Sequence, residues 1–86
     1  MKAALQIYSR DFDADFFKLP LATQRRIEAQ VDRLGLMLDR FSHTHLTGMD
    51  CYRLRVGDYR VVYDFNQSKG MLHLLAVGHR REVYRK

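Results

Sequence analysis

The sequence predicts an α+β fold: an N-terminal strand, an antiparallel pair of helices, and then three antiparallel strands that form a small twisted sheet packed on the helices. Two observations support this order. Apolar residues recur every three or four positions in the first half of the chain, whereas the second half contains apolar runs separated by turn-forming residues. The 86 residues suffice for one small core, so we expect a single domain spanning residues 1–86.

The first strand is predicted over residues 3–8, where Leu5 and Ile7 fall on one side. Ser9 and Asp11 follow directly, and both are residue types that cap the N-terminus of a helix. The first helix is therefore expected to begin at this point.

Two amphipathic helices come next. In the first helix, Phe12, Phe16 and Leu19 fall at i, i+4 and i+7 and form one apolar stripe, so the helix is expected to run to about Leu19. Pro20 ends this helix and suits the first turn of a second one. The stripe of the second helix keeps the same period and consists of Ile27, Val31, Leu34 and Leu38. We expect the two helices to pack as an antiparallel pair.

Residues 42–50 are polar and predict a connection. His43 and His45 would suit a metal only on a strand with further ligands, and no cysteine or acidic residue stands nearby at ligand spacing. The first helix carries three aspartates spaced by two, which spreads them around the helix axis: Asp11, Asp13 and Asp15. We therefore expect no metal site and no cofactor.

Three further strands are predicted, over residues of about 51–56, 59–65 and 71–77. The loop between the first two is Gly57-Asp58, which is typical of a two-residue hairpin turn. This loop would pair Val56 with Tyr59 and Arg55 with Arg60. The register of the hairpin is thereby predicted along its whole length.

Alternation along the hairpin separates apolar from basic side chains. The face expected to meet the helices carries Tyr52, Leu54, Val56, Tyr59, Val61 and Tyr63. The opposite face carries Arg53, Arg55 and Arg60, which we call the arginine face. Like charges directly opposite in a strand pair are unfavourable, so the pairing of Arg55 with Arg60 favours an anionic ligand over a merely solvated surface.

The third of these strands is almost continuously apolar, as expected of a strand covered on both sides. Gly78 would let the chain turn, so that His79, Arg80 and Arg81 emerge at the end of the strand. If this strand neighbours the hairpin, those groups come to lie beside the arginine face.

The net charge of +5 lies entirely in the second part of the chain. Residues 1–50 contain seven Lys/Arg and seven Asp/Glu, whereas residues 51–86 contain eight and three. This distribution is typical of a nucleic-acid binder, although a solubilising surface or a docking face for an acidic protein would have the same signature. Cys51 is the only cysteine, and no signal peptide or membrane span is recognisable. We therefore expect a soluble cytoplasmic protein.

The basic residues suggest chemistry on a phosphodiester. Arginines hold phosphate oxygens through charge-assisted hydrogen bonds, histidine is the residue type suited to proton transfer at neutral pH, and Tyr84 could stack on a base or orient a phosphate. Together with His79 they fit an RNA-cleaving site without metal, in which the ribose 2′-OH attacks phosphorus. The alternative from these residues alone is a basic tail that makes only electrostatic contacts.

Two stretches of the chain resemble the RelE/ParE superfamily of bacterial and archaeal toxins, and within it the RelE branch. The first consists of Leu46-x-Gly48 and the run Tyr52-Arg53-Leu54-Arg55-Val56-Gly57-Asp58-Tyr59-Arg60-Val61-Val62-Tyr63. The second is Val77-Gly78-His79-Arg80-Arg81-Glu82-Val83-Tyr84. The order of predicted elements agrees over nearly the whole chain and implies the RelE-like fold, which is of the microbial-RNase type.

The resemblance implies the toxin of a toxin-antitoxin pair, a metal-independent endoribonuclease (mRNA interferase) that cleaves mRNA in the ribosomal A site and inhibits translation. Its partners would be the ribosome with its mRNA and a cognate antitoxin, with which it would form a hetero-oligomer. The catalytic positions it implies are Arg55, Arg60, His79, Arg80 and Tyr84. The RNA- or phosphate-binding positions we expect are Arg53, Arg55, Arg60, Arg81 and Arg85.

The best-studied branch has lysines where this chain has Arg53 and Arg55. Arginine has a very high pKa and is a poorer proton acceptor than lysine, so we assign both residues to stabilising the transition state, and the identity of the general base stays open. His79 and Arg80 are alternative proton donors. A ParE-like inhibitor of DNA gyrase, which is not an enzyme, is the alternative function, and a degenerate toxin that only binds is a third.

Overall fold

The computed structural model describes residues 3–85, with the side chain of Arg85 outside the described part. The chain forms two helices and one five-stranded sheet of order β1-β5-β4-β3-β2. The strands are β1 (Leu5–Tyr8), β2 (Thr44–His45), β3 (Tyr52–Val56), β4 (Tyr59–Asn66) and β5 (Met71–His79). The helices are α1 (Arg10–Phe16) and α2 (Leu21–Leu36), and a short 3-10 helix covers Val83–Arg85. The predicted α+β class is confirmed.

Helix α1 begins where the sequence predicts and ends earlier. Ser9 is its N-cap, since its Oγ accepts a hydrogen bond from the Phe12 N–H at 3.1 Å. The helix stops at Phe16 rather than near Leu19, because the Leu19 N–H bonds the Phe16 carbonyl in a tighter turn ahead of Pro20.

Helix α2 places its apolar stripe in the core. Ile27, Val31 and Leu34 are buried, as predicted. Leu38 is also buried, but it lies in the turn that follows the helix, because α2 ends at Leu36. The core that these residues form with the sheet lies on one face of the sheet only.

Strand β1 runs parallel to β5 and forms one edge of the sheet. Leu5 and Ile7 do share a side, but both are exposed, at 63% and 38% of their surface. The other sheet edge is β2, two residues that pair with β3 inside the segment predicted to be a polar connection. The sheet therefore has one strand more than the sequence predicts.

The β3–β4 hairpin has the predicted register. Val56 pairs with Tyr59 and Arg55 with Arg60. Gly57 takes φ of +59°, which favours glycine at the first turn position. The residues predicted to face the helices lie in the core or pack against it.

Strand β5 contains a β-bulge within its almost continuous apolar run. Val62 of β4 pairs with Ala76 and the next residue, Tyr63, pairs with Leu74, so Leu75 is the extra residue. The bulge reverses the alternation of β5, and Leu74 and Val77 are therefore both buried in the main core. The opposite face of β5 is only partly covered, which corrects the expectation of a strand buried on both sides.

Gly78 does not form the turn that the sequence suggests, because β5 continues to His79. Its role is close packing. A Cβ at Gly78 would lie 3.4 Å from the Val83 Cβ, since the C-terminal 3-10 helix folds back over this face of the sheet. Val83 forms a second, small apolar cluster with Cys51, Val62, Leu46 and Ala76.

Within residues 3–85 no helix combines the length and the apolar character needed to cross a membrane.

Candidate nucleic-acid interface

The arginine face lies on the side of the sheet away from the helices. Arg53, Arg55 and Arg60, together with Thr44 of β2, line a depression of about 190 Å³. Strand alternation and the hairpin register bring these side chains together, because Arg55 and Arg60 are paired directly across the two strands. The predicted arginine face is therefore present in the structure.

Arg60 is the fixed member of this group. It is 9% exposed, and its Nη1 donates hydrogen bonds to the carbonyls of Gly57 at 2.8 Å and Tyr59 at 2.9 Å. Both acceptors are neutral, so the positive charge of Arg60 is not neutralised. The two bonds engage one terminal nitrogen and leave the other N–H groups of the planar fork for a ligand.

Arg53 and Arg55 are exposed. Among residues 3–85, no carboxylate lies within 4.0 Å of the guanidinium nitrogens of Arg53, Arg55 or Arg60. Three cations around one depression without an acidic partner produce a local positive potential, and such a surface attracts phosphate groups.

Arg80 lies at the tip of the same hairpin. Its backbone N–H donates to the Asp58 carbonyl at 2.8 Å, which extends the β4–β5 pairing into the turn. Its Nε is 4.0 Å from the Asp58 carboxylate, and both side chains are largely exposed. An exposed pair at this distance is weak, so the guanidinium of Arg80 stays available to a ligand.

His79 lies on the other side of the sheet from the arginine face. It pairs with Tyr59, whose ring centroid is 5.7 Å away, and both side chains are on the helix side. It lines a separate depression with Asp15, Lys18 and Glu82. The bulge at Leu75 places His79 on the helix side. Without it, strand alternation would put residue 79 on the same side of the sheet as Arg60. The structure does not bring His79 together with the arginines.

The remaining predicted positions lie along the C-terminal segment. Tyr84 is 45% exposed and follows Val83, which is anchored in the small cluster on the arginine side of the sheet. Arg81 is exposed, and its N–H donates to Nδ1 of His79 at 3.3 Å. The side chain of Arg85 lies outside the described residues.

His43 has a structural role that the sequence did not indicate. Its Nε2 lies 2.9 Å from the Leu38 carbonyl, which can only accept, so Nε2 donates this hydrogen bond, and its Nδ1 lies within hydrogen-bond distance of the Tyr63 hydroxyl at 2.7 Å. The ring also stacks on Phe65, with centroids 4.1 Å apart. Burial raises the pKa of Tyr63, which keeps this hydroxyl protonated. The contacts join residues 20 positions apart, so local sequence gave no signal.

No group of three or more His, Cys, Asp or Glu side chains in the described part of the chain is arranged to hold a metal ion.

Two helices on one face of a five-stranded sheet form the fold that solved RelE toxin structures share with this chain. The toxin of the intact Escherichia coli RelBE toxin-antitoxin complex is similar over 90% of this chain and 96% of that chain, with 25% identity and a TM-score of 0.74. The archaeal RelE-RelB complex from Pyrococcus horikoshii is similar over 95% of this chain and 100% of that chain, with 25% identity and a TM-score of 0.75. The RelBE2 complex from Mycobacterium tuberculosis is similar over 95% of this chain and 97% of that chain, with 19% identity and a TM-score of 0.78. At this identity the similarity supports only the fold.

Residues 7–84 match the sequence model described as ParE toxin of type II toxin-antitoxin system, parDE. The chain therefore belongs to this family of toxins, within the RelE/ParE superfamily. No curated protein sequence matches the chain.

Proposed function

We propose that this toxin is a ribosome-dependent endoribonuclease that cleaves mRNA in the ribosomal A site. The observation that carries the proposal is the arginine face, where a nearly buried Arg60 is held by two backbone carbonyls while Arg53 and Arg55 stand beside it. Preorganised donors of this kind stabilise the negative charge that develops on a phosphate during transfer. The similarity to RelE toxins at 25% identity adds support.

In the proposed reaction the ribose 2′-oxygen forms a bond to the adjacent phosphorus, and the bond from phosphorus to the 5′-oxygen breaks. The products are a 2′,3′-cyclic phosphate and a free 5′-hydroxyl. The 2′-OH releases its proton to water, and the 5′-oxygen takes up a proton from water. Arg60 binds a non-bridging oxygen, and Arg53 and Arg55 offset the additional negative charge of the transition state.

Arg80 and Tyr84 complete the proposed site from the C-terminal segment. Arg80 lies at the hairpin tip and would stabilise the negative charge on the leaving 5′-oxygen. Tyr84 presents an exposed ring that would stack on a base and orient the substrate. Arg81 and Arg85 would contribute further phosphate contacts. His79 is assigned no proton transfer, because its side chain lies on the helix side of the sheet.

We also propose a cognate antitoxin as the partner in a hetero-oligomer. Several of the similar structures are toxin-antitoxin complexes with RelB. An antitoxin segment with acidic side chains would mask Arg53, Arg55 and Arg60 and thereby block access of the mRNA. Binding to the product of the neighbouring gene should be much tighter than binding to an unrelated acidic peptide.

A gyrase inhibitor is the second candidate, because the matching family is described by its ParE members. The two functions are separated by the first process that fails after induction in cells. Inhibition of protein synthesis ahead of any DNA-damage response supports the ribonuclease. DNA-damage signalling with protein synthesis initially intact would support the gyrase inhibitor. An Arg60→Ala variant that folds but is not toxic would link the ribonuclease outcome to the arginine face.

A further inference from the structure

Helix α2 has a basic flank that lies against the β3–β4 hairpin. Arg26 and Gln30 are one helical turn apart, and Arg33 continues the same flank at i+7. Neither arginine has an acidic residue three or four positions away along the helix. In the described part of the chain no carboxylate lies within 4.0 Å of either guanidinium. The flank therefore carries positive charge that the fold does not neutralise.

Arg26 is in close contact with the hairpin turn. A Cβ built on Gly57 would lie 2.9 Å from Arg26 Nη2 and 3.5 Å from its Cζ, so the guanidinium occupies the space that a side chain at position 57 would take. Arg26 itself is exposed to solvent. The absence of a side chain at Gly57 thus allows a helix arginine to lie directly beside the turn that positions Arg60.

Arg55 connects this flank to the arginine face. It borders the depression that it shares with Arg53 and Arg60. It also borders a second depression of about 300 Å³, whose lining includes Arg26 and Gln30 of α2. The two depressions therefore share Arg55, and each of them has at least one further arginine in its lining.

The opposite flank of α2 carries two acidic residues beside Arg25, which lies three positions before Glu28. Glu28 and Asp32 lie on the side of β1, where Asp32 accepts a hydrogen bond from Gln6 at 2.7 Å. Burial, and then the charges of Asp32 and Glu28, raise the pKa of Tyr8 on that side. An anionic polymer would be repelled there, so the charge pattern directs it over the hairpin side of the helix.

We infer that Arg26 and Arg55 form a second phosphate-binding position, which continues the path of the RNA from the arginine face around the β3–β4 turn onto α2. The inference rests on the proposed function and deepens it by assigning a flanking phosphate of the RNA to a residue outside the family-like motifs. The ligand is an RNA phosphodiester, from the mRNA beside the cleaved bond or from ribosomal RNA. Gln30 would add an uncharged hydrogen-bonding group, and Arg33 would extend the path along the helix.

Binding to 2′-O-methyl RNA tests this position, because such RNA has no free 2′-OH and is not cleaved. Affinities for a trinucleotide and for an oligonucleotide of twelve residues are measured over a range of salt concentrations. For Arg26→Ala we expect binding of the longer RNA to weaken about three- to tenfold and its salt slope to fall by about 0.7, the value for one phosphate contact in a single strand. Binding of the trinucleotide should stay unchanged.

Arg25→Ala is the control, since Arg25 is exposed on the same helix but lies about 100° around the helix axis from Arg26 and does not line the depression that Arg26 shares with Arg55. This variant should bind both RNAs with unchanged affinity. Both variants replace an exposed helix residue with alanine, a strong helix former, so both should fold. Arg55 borders both depressions, so Arg55→Ala should weaken the binding of both RNAs. Wild-type behaviour of Arg26→Ala, with Arg55→Ala impaired, would overturn the inference and leave the proposed function intact. If the wild type binds neither RNA, the inference fails. The proposed function fails as well only if the wild type also does not cleave mRNA on programmed ribosomes.

Programmed ribosomes identify the source of the phosphate. If Arg26→Ala slows cleavage only of mRNA that extends beyond the A-site codon, the position binds mRNA. If it slows cleavage equally on mRNA that ends with that codon, the position binds ribosomal RNA. Weaker binding of an antitoxin with no effect on either RNA would contradict the inference.

Discussion

Arg55 and Arg60 lie directly opposite each other in adjacent antiparallel strands, and no carboxylate in the described part of the chain lies within 4.0 Å of either guanidinium. Like charges in this arrangement destabilise a strand pair. The arginine face is thus a local conflict between stability and charge. An anionic ligand that binds both guanidinium groups would remove that conflict.

Replacing Arg55 should therefore stabilise the fold and impair the function. For Arg55→Thr we expect the free energy of unfolding to rise by about 0.5 kcal/mol at low salt, since the like-charge contact is removed and threonine suits a strand. The gain should shrink at high salt because screening weakens the repulsion. Denaturant unfolding at two salt concentrations measures both effects.

Arg53→Thr is the matched control for this prediction. Arg53 lies on the same face of β3 but pairs with Val62. Its replacement should give a smaller and less salt-dependent stability change, while mRNA cleavage falls in both variants. An equal salt-dependent gain in both would contradict the pairwise explanation.

Arg60→Lys should abolish most of the activity although it keeps the charge. A lysine cannot hold the carbonyls of Gly57 and Tyr59 and also present a planar fork to a phosphate. We expect a loss of about 100-fold or more in cleavage rate, typical of removing one preorganised donor. Unfolding should become easier by about 1 to 2 kcal/mol, because two partly buried carbonyls lose a partner. Single-turnover cleavage and thermal unfolding test the two parts separately.

His79 should matter less for cleavage than Arg80. His79→Gln is expected to change the single-turnover rate by less than about threefold, and the pH profile between 6 and 8 should keep its shape, because the imidazole lies on the helix side of the sheet. Arg80→Gln should lower the rate by at least about tenfold. A pH profile that loses a limb near neutrality only in His79→Gln would assign proton transfer to His79 after all.

Tyr63 should make stability depend on alkaline pH. Burial raises its pKa above the ordinary value of 10.0, so the folded protein keeps the phenol proton after the unfolded chain has lost it. The stability associated with this group is complete below pH 10 and falls as pH rises above it, by up to about 1.4 kcal/mol per pH unit.

Tyr63→Phe should lower the free energy of unfolding by about 1 kcal/mol at pH 7, because the hydrogen bond to His43 is lost, and the difference from wild type should narrow above pH 10. Denaturant unfolding of both proteins between pH 7 and pH 11 measures this. A difference in the free energy of unfolding that stays constant over that range would contradict the role of Tyr63.

The sequence predicts the arginine face well, because a two-residue loop at Gly57-Asp58 determines which residues pair across the hairpin and so which side each arginine takes. The same argument does not predict which face of the sheet carries the His79 side chain. The connection between β4 and β5 is longer, and the bulge at Leu75 reverses the alternation within residues 74–77, which are all apolar. Leu75 is held where the Ser9 hydroxyl donates to its carbonyl at 2.8 Å, a contact between residues 66 positions apart.

Arg26 was missed for a related reason. The sequence pattern predicts only that Arg26 is a solvent-exposed helix residue. Its contact with Gly57 arises from the packing of α2 beside the hairpin. The two-residue strand β2 is too short for a periodic signal, so its contribution of Thr44 to the arginine depression was also not predicted.

Primer extension on a defined mRNA tests the central proposal most directly, using the purified toxin with and without ribosomes that hold a known codon in the A site. We expect cuts within that codon only when ribosomes are present, and none with Arg60→Ala. Cuts on free RNA would indicate a ribosome-independent nuclease. No cuts under either condition, from folded protein that is toxic to cells, would contradict the proposed ribonuclease and favour gyrase as the target.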